Sequence, residues 1–172
     1  HNLNSIEIRT QNSITIKRNA FYNVDHLKEL RFRSQINKVE NEAFASKSSS
    51  VKLEIKFDDV VSNAFQSDSF KGLQRPVQIR FNSLQHLPES SFKIILDNQN
   101  QIRVNEINCK DCRNRWLIED QRDGQVSGVN CNKNGLKLFD NKSKSFLNRV
   151  CLKGENITLV HCNQTNSLDS SN

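Results

Sequence analysis

Residues 27–44 read LKELRFRSQINKVENEAF, and this segment decides the fold of the chain. Within it, residues 30–33 alternate apolar and charged side chains, as a strand with one buried face requires. A polar turn follows, and the segment ends in Ala43 and Phe44. We predict one supersecondary unit, a strand followed by a returning segment. Such a unit cannot bury its apolar side alone, so its stability depends on further copies.

Further copies recur at a spacing of roughly two dozen residues. Five apolar pairs share the strand pattern: Ile6/Ile8, Leu30/Phe32, Ile55/Phe57, Ile79/Phe81 and Ile102/Val104. In four repeats a small or polar residue precedes a phenylalanine in the segment that returns from one strand to the next, which we call the returning phenylalanine: Ala20-Phe21, Ala43-Phe44, Ser69-Phe70 and Ser91-Phe92. Phe65 competes with Phe70 for the third slot, and we favour Phe70 because it keeps the period. The strand pairs and the returning phenylalanines share one period, and this favours a solenoid over an ordinary sheet with scattered core phenylalanines.

This repeated pattern resembles that of the leucine-rich repeat family. The family pattern, L-x-x-L-x-L-x-x-N-x-L with a returning alanine and phenylalanine, is matched best at Leu27, Leu30, Phe32, Ile36, Val39, Ala43 and Phe44. Gln35 replaces the family's asparagine, whose side chain satisfies backbone groups along the turn. The Phe57 and Phe81 repeats have no asparagine in register. The resemblance implies an α/β fold, a parallel β solenoid with an irregular or short-helical convex side.

Size and composition suit such a fold. The chain has 172 residues, a hydrophobic fraction of 35% and a mean hydropathy of -0.69. A thin core is enough for a solenoid because each coil contributes a narrow apolar strip that its neighbours complete. We expect repeats over residues 1–108, in about five degenerate coils of ~24 residues, a cysteine-rich cap over 109–152 and a flexible tail over 153–172.

The sequence also leads to predictions about membrane insertion and about the N-terminal end of the chain. No apolar run reaches the ~20 residues of a membrane span. The first residues lack the regions of a signal peptide and there is no initiating methionine, so we expect a processed or excised chain. The first strand leaves the apolar end of the core open. We therefore expect either further sequence upstream or a partner that covers this end.

The net charge of +6 and the pI of about 9.2 indicate attraction to polyanions, acidic proteins or anionic surfaces. Nucleic acid is disfavoured because we find no recognition motif, and Tyr22 and Trp116 are the single tyrosine and tryptophan for stacking on bases. We predict a protein ligand, with an acidic protein or a sulfated glycan favoured by the charge.

The strand positions that point away from the core are predicted to form the binding surface. If the apolar pairs face inward, these positions line a concave face: Glu29, Arg31, Arg33, Lys52, Glu54, Lys56, Gln78, Arg80, Asn82, Arg103 and Asn105. The candidate ligand-binding residues are Arg31, Arg33, Lys56, Arg80 and Arg103. Neighbouring strands would place like charges side by side, and these repel unless an anion or acidic groups lie between them. The structural alternative is a solvated charged face.

From residue 109 the chain changes character, with cysteines at Cys109, Cys112, Cys131 and Cys151. Two disulfides are favoured over a zinc site, because Cys131 and Cys151 are far apart, and over a redox motif, because no βαβ unit precedes them. Spacing does not decide which cysteines pair. An apolar group could close the end of the core: Trp116, Leu117, Leu136, Leu138, Phe139, Phe146 and Leu147.

This segment resembles the C-terminal cysteine-rich cap of extracellular leucine-rich repeat proteins. That cap usually has one residue between its first two cysteines, whereas Lys110 and Asp111 stand here. The resemblance implies disulfides from Cys109 to Cys131 and from Cys112 to Cys151. Cys162 is left over in the tail. Sequons for N-glycosylation begin at Asn141, Asn156 and Asn163, and with the cysteines they favour a secreted or cell-surface protein.

We find no catalytic constellation, and we predict a protein that is not an enzyme and uses no metal or cofactor. The histidines are dispersed over His1, His26, His86 and His161. Asp58-Asp59 and Glu119-Asp120 are interpreted as turn or helix-surface features. The resemblance extends to small secreted arthropod leucine-rich proteins, including the non-catalytic subunit of crustacean luciferase. It implies a binding module or, alternatively, a non-catalytic structural subunit; Toll-like or Slit-like ectodomain fragments share these features.

Overall fold

The computed structural model describes residues 3–131 and 135–151. Strands β1 to β7 cover Ser5–Ile8, Ile14–Ile16, Glu29–Val39, Leu53–Val60, Val77–Leu84, Gln101–Ile107 and Val126–Asn130. Helices α1 to α3 cover Glu89–Asp97, Arg115–Glu119 and Asn141–Val150, and short 3-10 helices cover Cys112–Asn114 and Arg122–Gly124. The α/β class, with most of its regular structure in strands, is confirmed.

The strands form one parallel sheet in the order β1, β3, β4, β5, β6, β7, and β2 pairs with the second half of β3. Its register aligns one apolar residue from each of six strands: Ile6, Leu30, Ile55, Ile79, Ile102 and Val126. The parallel, in-register pairing confirms the repeat spacing of the strand pairs.

Two rows of phenylalanines fill the core behind the sheet. The strand row has ring centroids 5.2 and 5.1 Å apart and contains Phe32, Phe57 and Phe81. The returning row has centroids 5.6, 5.1 and 5.2 Å apart and contains Phe21, Phe44, Phe70 and Phe92. Phe65 packs edge-on against the strand row, 5.7 Å from Phe57. Phe70 therefore holds the third returning slot, as the period predicts.

A buried serine, rather than Gln35, satisfies backbone groups of the preceding repeat, between β1 and β2. The Ser34 hydroxyl accepts a hydrogen bond from the Thr10 amide at 2.6 Å and donates one to the Thr10 carbonyl at 2.9 Å. Gln35 is exposed, and its amide donates to Asp59 at 2.9 Å. Gln35, which stands where the family has asparagine, does not take over the role of that asparagine, because alternation along β3 turns Gln35 outward.

Arg75 is a buried cation that connects three repeats. Its guanidinium donates hydrogen bonds to the carbonyls of Val51 at 3.0 Å, Val24 at 3.2 Å and Leu27. The side chain lies just before β5, yet two of its acceptors belong to the loop before β3. Burial lowers the pKa of Arg75, and the nearby carboxylate of Asp25 acts in the opposite direction. Arg75 therefore holds loop carbonyls that no strand pairing would satisfy.

The sheet continues beyond the predicted repeats. β7 pairs with β6 in parallel and places Val126 beside Ile102 and Ser127 beside Arg103. We expected the segment after residue 108 to close the core with side chains, and it also contributes a strand. The predicted boundary between the repeats and the cap at residue 108 therefore does not coincide with the edge of the sheet.

Two side chains of the C-terminal segment hydrogen-bond the turn after β5. The Trp116 indole donates to the Leu87 carbonyl at 2.8 Å. The Asn114 side chain accepts from the Leu87 amide at 3.0 Å and donates to the carbonyls of Gln85 and Asn108 at 3.2 and 3.0 Å. Asn114 and Leu117 are fully buried. This segment is thus fixed to the repeats by polar contacts as well as by apolar packing.

Two disulfides join Cys109 to Cys131 and Cys112 to Cys151, with Cα atoms 5.3 and 5.4 Å apart. These are the pairs that the family resemblance implies. The remaining apolar residues of the segment differ in burial: Leu138 and Leu147 are buried, whereas Leu136, Phe139 and Phe146 are half-buried. The tail at 153–172, with Cys162, Asn156 and Asn163, lies outside the described residues.

Candidate ligand-binding face

The outward side chains of β3 to β6 form one surface, which we call the open face. Its members are Glu29, Arg31, Arg33, Glu54, Lys56, Asp58, Gln78, Arg80, Asn82, Gln101, Arg103 and Asn105. They face outward because the alternate residues of each strand are buried in the core. The returning segments and α1 contribute to the core behind the sheet, and so the open face is the side on which the sheet itself meets solvent.

Register gathers four predicted binding residues into one line, the basic row. Arg31 pairs with Lys56, Lys56 with Arg80, and Arg80 with Arg103 across successive strands. Arg33, the fifth predicted residue, lies outside this row, two residues after Arg31 in β3. The placement follows from the alternation and the repeat period, whereas the role of these five residues in binding stays a prediction.

Acidic side chains lie between most members of the basic row. The Arg31 guanidinium contacts the Asp58 carboxylate at 3.1 Å. The Lys56 ammonium lies 2.8 Å from Glu29 and 3.1 Å from Glu54, and Glu54 also pairs with Arg80. The expected repulsion between like charges is thus relieved inside the protein, without a bound anion.

These contacts shift the titration of the charged groups. The hydrogen bond from Lys56 is the main reason that the pKa of Glu29 is lowered. The same bond raises the pKa of Lys56, with a further contribution from Glu54. The hydrogen bond to Glu7, 2.8 Å away, raises the pKa of Arg33. The charges at this part of the open face therefore stay fixed over the physiological pH range.

Arg103 differs from the rest of the basic row. Its side chain is exposed, and no carboxylate in residues 3–131 or 135–151 forms an ion pair with it. Around it the open face carries carboxamides, and the Asn105 amide lies 3.5 Å from the Asn82 oxygen. The basic row and these asparagines surround a depression of about 280 Å³. This end of the face presents a cation and neutral hydrogen-bonding groups.

Asp58 is a member of this surface that the sequence interpretation missed. We expected Asp58-Asp59 to form a turn or helix-surface feature, and this is wrong because both residues lie within β4. Asp58 lies on the same face of β4 as Lys56 and contacts the Arg31 guanidinium, whereas the register irregularity between Phe32 and Gln35 places Asp59 beside Gln35. The spacing of Asp58 two residues after Lys56 was the available signal, since residues two apart share a face of a strand.

The described residues offer no metal-binding cluster. Among them, no group of three or more His, Cys, Asp or Glu side chains is placed to hold an ion. In the same part of the chain, no helix is long and apolar enough to cross a membrane. Asn141, the first residue of α3, is exposed, as a glycosylated asparagine must be.

One titratable group is buried at the junction between the repeats and the C-terminal segment. His86 is 3% exposed, and its Nδ1 has no hydrogen-bond partner in the described chain; the Asp111 carboxylate lies 3.9 Å away. Burial is the main reason that the pKa of His86 falls below its usual 6.5, and Arg113 lowers it further while Asp111 opposes the shift. The imidazole is therefore neutral in the folded protein at neutral pH.

We expect the protein to lose stability as the pH falls from about 6.5 towards 5, because the unfolded state gains a proton at His86 before the folded state does. The free energy of unfolding should fall by at most ~1.4 kcal/mol per pH unit over this window. Urea unfolding across this pH range measures the slope. His86→Gln should remove it, and His26→Gln at an exposed histidine should not; equal slopes in all three proteins would contradict the assignment.

The comparisons with known proteins give one match. A family model described as BspA type leucine rich repeat region matches residues 1–105 in six copies, one more than the about five coils predicted from the sequence. No curated protein and no solved structure matches the chain. The matched region includes β1 to β5 and most of β6.

Proposed function

Because the chain belongs to the BspA-type leucine-rich repeat family, we propose that it is a non-catalytic binding module whose ligand is a protein held on the open face. Repeats of this family suggest protein binding. In this proposal the sheet is the inner wall of a solenoid, and the open face is its concave surface. Successive strands then present side chains to the ligand from a rigid backbone.

The observation that carries the proposal is the alignment of the basic row in one parallel sheet. Four cationic side chains from four successive strands meet at a single surface with a depression. At about 280 Å³ the depression lies at or below the ~300–1,000 Å³ typical of small-molecule pockets. It is suited to side chains of a larger partner that covers several strands.

The same proposal places the protein outside the cell. Two disulfides in one short segment favour an oxidising compartment, because thiols of cytosolic proteins are kept reduced. The exposed sequon at Asn141 is consistent with passage through the secretory route. In this reading, residues 109–152 form the cap of the solenoid.

A displayed library of random short peptides, selected against the secreted and oxidised chain, tests where ligands bind. We expect the recovered peptides to lose binding to Asn105→Trp, because a large ring at this exposed position obstructs the depression. Loss of at least about tenfold in affinity is expected for a blocked interface centre.

The matched control is Lys71→Trp, which places the same ring on an exposed returning segment. Peptides should bind Lys71→Trp and the unmodified protein alike. The proposal fails if the peptides bind Asn105→Trp as well as they bind the unmodified protein, or if both substitutions reduce binding equally.

A further inference from the structure

We propose that the ligand is recognised through a single carboxylate side chain bound at Arg103, beside Arg80, at the β5–β6 end of the open face. This inference rests on the proposed function and narrows the ligand to an extended peptide segment with an isolated Asp or Glu. Asn82 and Asn105 would bind peptide groups on one side of that residue, and Gln78 and Gln101 would bind them on the other side. The argument begins with the distribution of charge.

The charges at the β3 end of the face are already paired. Arg31 contacts Asp58 at 3.1 Å and has 32% of its side chain exposed. Arg33 contacts Glu7 at 2.8 Å. An incoming carboxylate would have to compete with an internal partner at each of these arginines, so it gains little there.

The middle of the face is also close to neutral. Glu29, Lys56, Glu54 and Arg80 form a continuous chain of alternating charge, with Lys56 between the two glutamates and Glu54 between Lys56 and Arg80. Two acidic and two basic groups balance within this chain. Arg80 is at its end and contacts one carboxylate that it shares with Lys56.

Arg103 is the next cation along the basic row after Arg80. It has no ion-pair partner in the described residues, and the neighbouring strand places Ser127 rather than an acid beside it. A guanidinium binds a carboxylate through two parallel hydrogen bonds, which a paired arginine cannot offer to the same extent. The geometry thus favours one binding position for a carboxylate.

The surroundings of Arg103 favour a peptide over a polyanion. Gln78 and Gln101 are in register at one side of the two arginines, and Asn82 and Asn105 lie at the other. Carboxamides both donate and accept hydrogen bonds, as peptide groups do. A sulfated glycan would gain most from several unpaired cations in succession, whereas three of the four members of the basic row already contact carboxylates.

Matched peptide libraries test the inference. One library carries Glu at its central position and its twin carries Gln, and both are measured against the oxidised protein. We expect Glu peptides to bind roughly 10- to 100-fold more tightly than their Gln twins, as a charged hydrogen-bonded contact predicts. Arg103→Gln should abolish this preference, so that both twins bind the variant alike. Arg103→Lys should keep part of it, because the charge remains without the planar fork.

Arg18→Gln is the matched control, since it makes the same change at an exposed arginine outside the open face that Glu42 already neutralises. Its affinity for Glu peptides should stay within about threefold of the unmodified protein. The inference is overturned if the Glu and Gln twins bind the unmodified protein equally, or if Arg18→Gln costs as much affinity as Arg103→Gln. It is also overturned if a heparin-derived oligosaccharide binds more tightly than the Glu peptides.

These outcomes separate the inference from the proposed function. If the Glu and Gln peptides bind equally but Asn105→Trp still abolishes binding, then the open face binds peptides without a carboxylate site. In that case only the inference is contradicted. If Asn105→Trp leaves binding intact, then the proposed function falls with it.

Discussion

Replacing Phe57 with alanine should lower the free energy of unfolding by about 3–5 kcal/mol. The ring stacks on Phe32 and Phe81 at 5.2 and 5.1 Å and meets Phe44 and Phe65 edge-on at 6.2 and 5.7 Å. It is 1% exposed, so its removal leaves a cavity with aromatic walls in the middle strand of the stack. Aromatic pairing adds ~0.5–1.5 kcal/mol per pair beyond buried area.

Urea unfolding followed by circular dichroism measures the loss. The control is Phe57→Leu, which keeps most of the volume and should cost less than about 1.5 kcal/mol. If alanine and leucine destabilise the protein equally, then the cavity at Phe57 is not what determines the loss. An equal loss of stability in Phe139→Ala, at a half-buried position, would likewise contradict a special role of the strand row.

Replacing Arg75 with methionine should destabilise the protein by roughly 3–5 kcal/mol, although the new side chain is apolar and of similar length. The loss arises mainly from the carbonyls of Leu27 and Val51, which would lose this guanidinium as their donor; the Val24 carbonyl keeps a hydrogen bond from the Leu27 amide at 3.0 Å. A buried acceptor without a partner costs ~1–3 kcal/mol. The charge of the Asp25 carboxylate, which acts to raise the pKa of Arg75 against the larger effect of burial, would also lose this favourable interaction.

Thermal and urea unfolding of Arg75→Met should be compared with Gln74→Met. Gln74 is the exposed neighbour in the chain, and its methionine variant should change stability by no more than about 0.5 kcal/mol. If both variants retain the stability of the unmodified protein, then the carbonyls of Leu27 and Val51 do not depend on Arg75, and water satisfies them instead.

The strand positions could be predicted from sequence because alternation and period act together. Leu30 and Phe32 mark the buried side of one strand, and the same pair recurs as Ile55 and Phe57 one repeat later. A one-residue error in register would have turned every charged neighbour inward. The placement of the basic row therefore followed once the repeat was recognised.

The charge pairing across the open face was harder to predict. Arg31 contacts Asp58, two residues beyond its in-register partner Lys56, and register also shifts between Phe32 and Gln35. A sequence pattern with a fixed period of two does not contain such a shift. We therefore treated the five candidate binding residues as equivalent, whereas the structure separates Arg103 from the other four, which form ion pairs that Arg103 lacks within the described residues.

β7 was missed because its sequence resembles a loop. Gly128 interrupts the strand with a φ of +85°, and Val129, with a φ of 36°, follows as the buried residue. A Cβ at position 128 would collide with the Val104 carbonyl, so glycine is required where β7 approaches β6. The disulfide pairs, by contrast, came from family resemblance, since cysteine spacing alone leaves the connectivity open.

The position of the cysteines has a consequence for the order of events during biosynthesis. Every cysteine of the chain lies after β6, so a ribosome has already produced strands β1 to β6 before the first thiol appears. Early strands can therefore pair without waiting for an oxidant. When oxidation occurs, the free edge of β6, on which β7 pairs, has already been synthesised. The disulfides then restrict the C-terminal segment to conformations in which β7 is paired with β6.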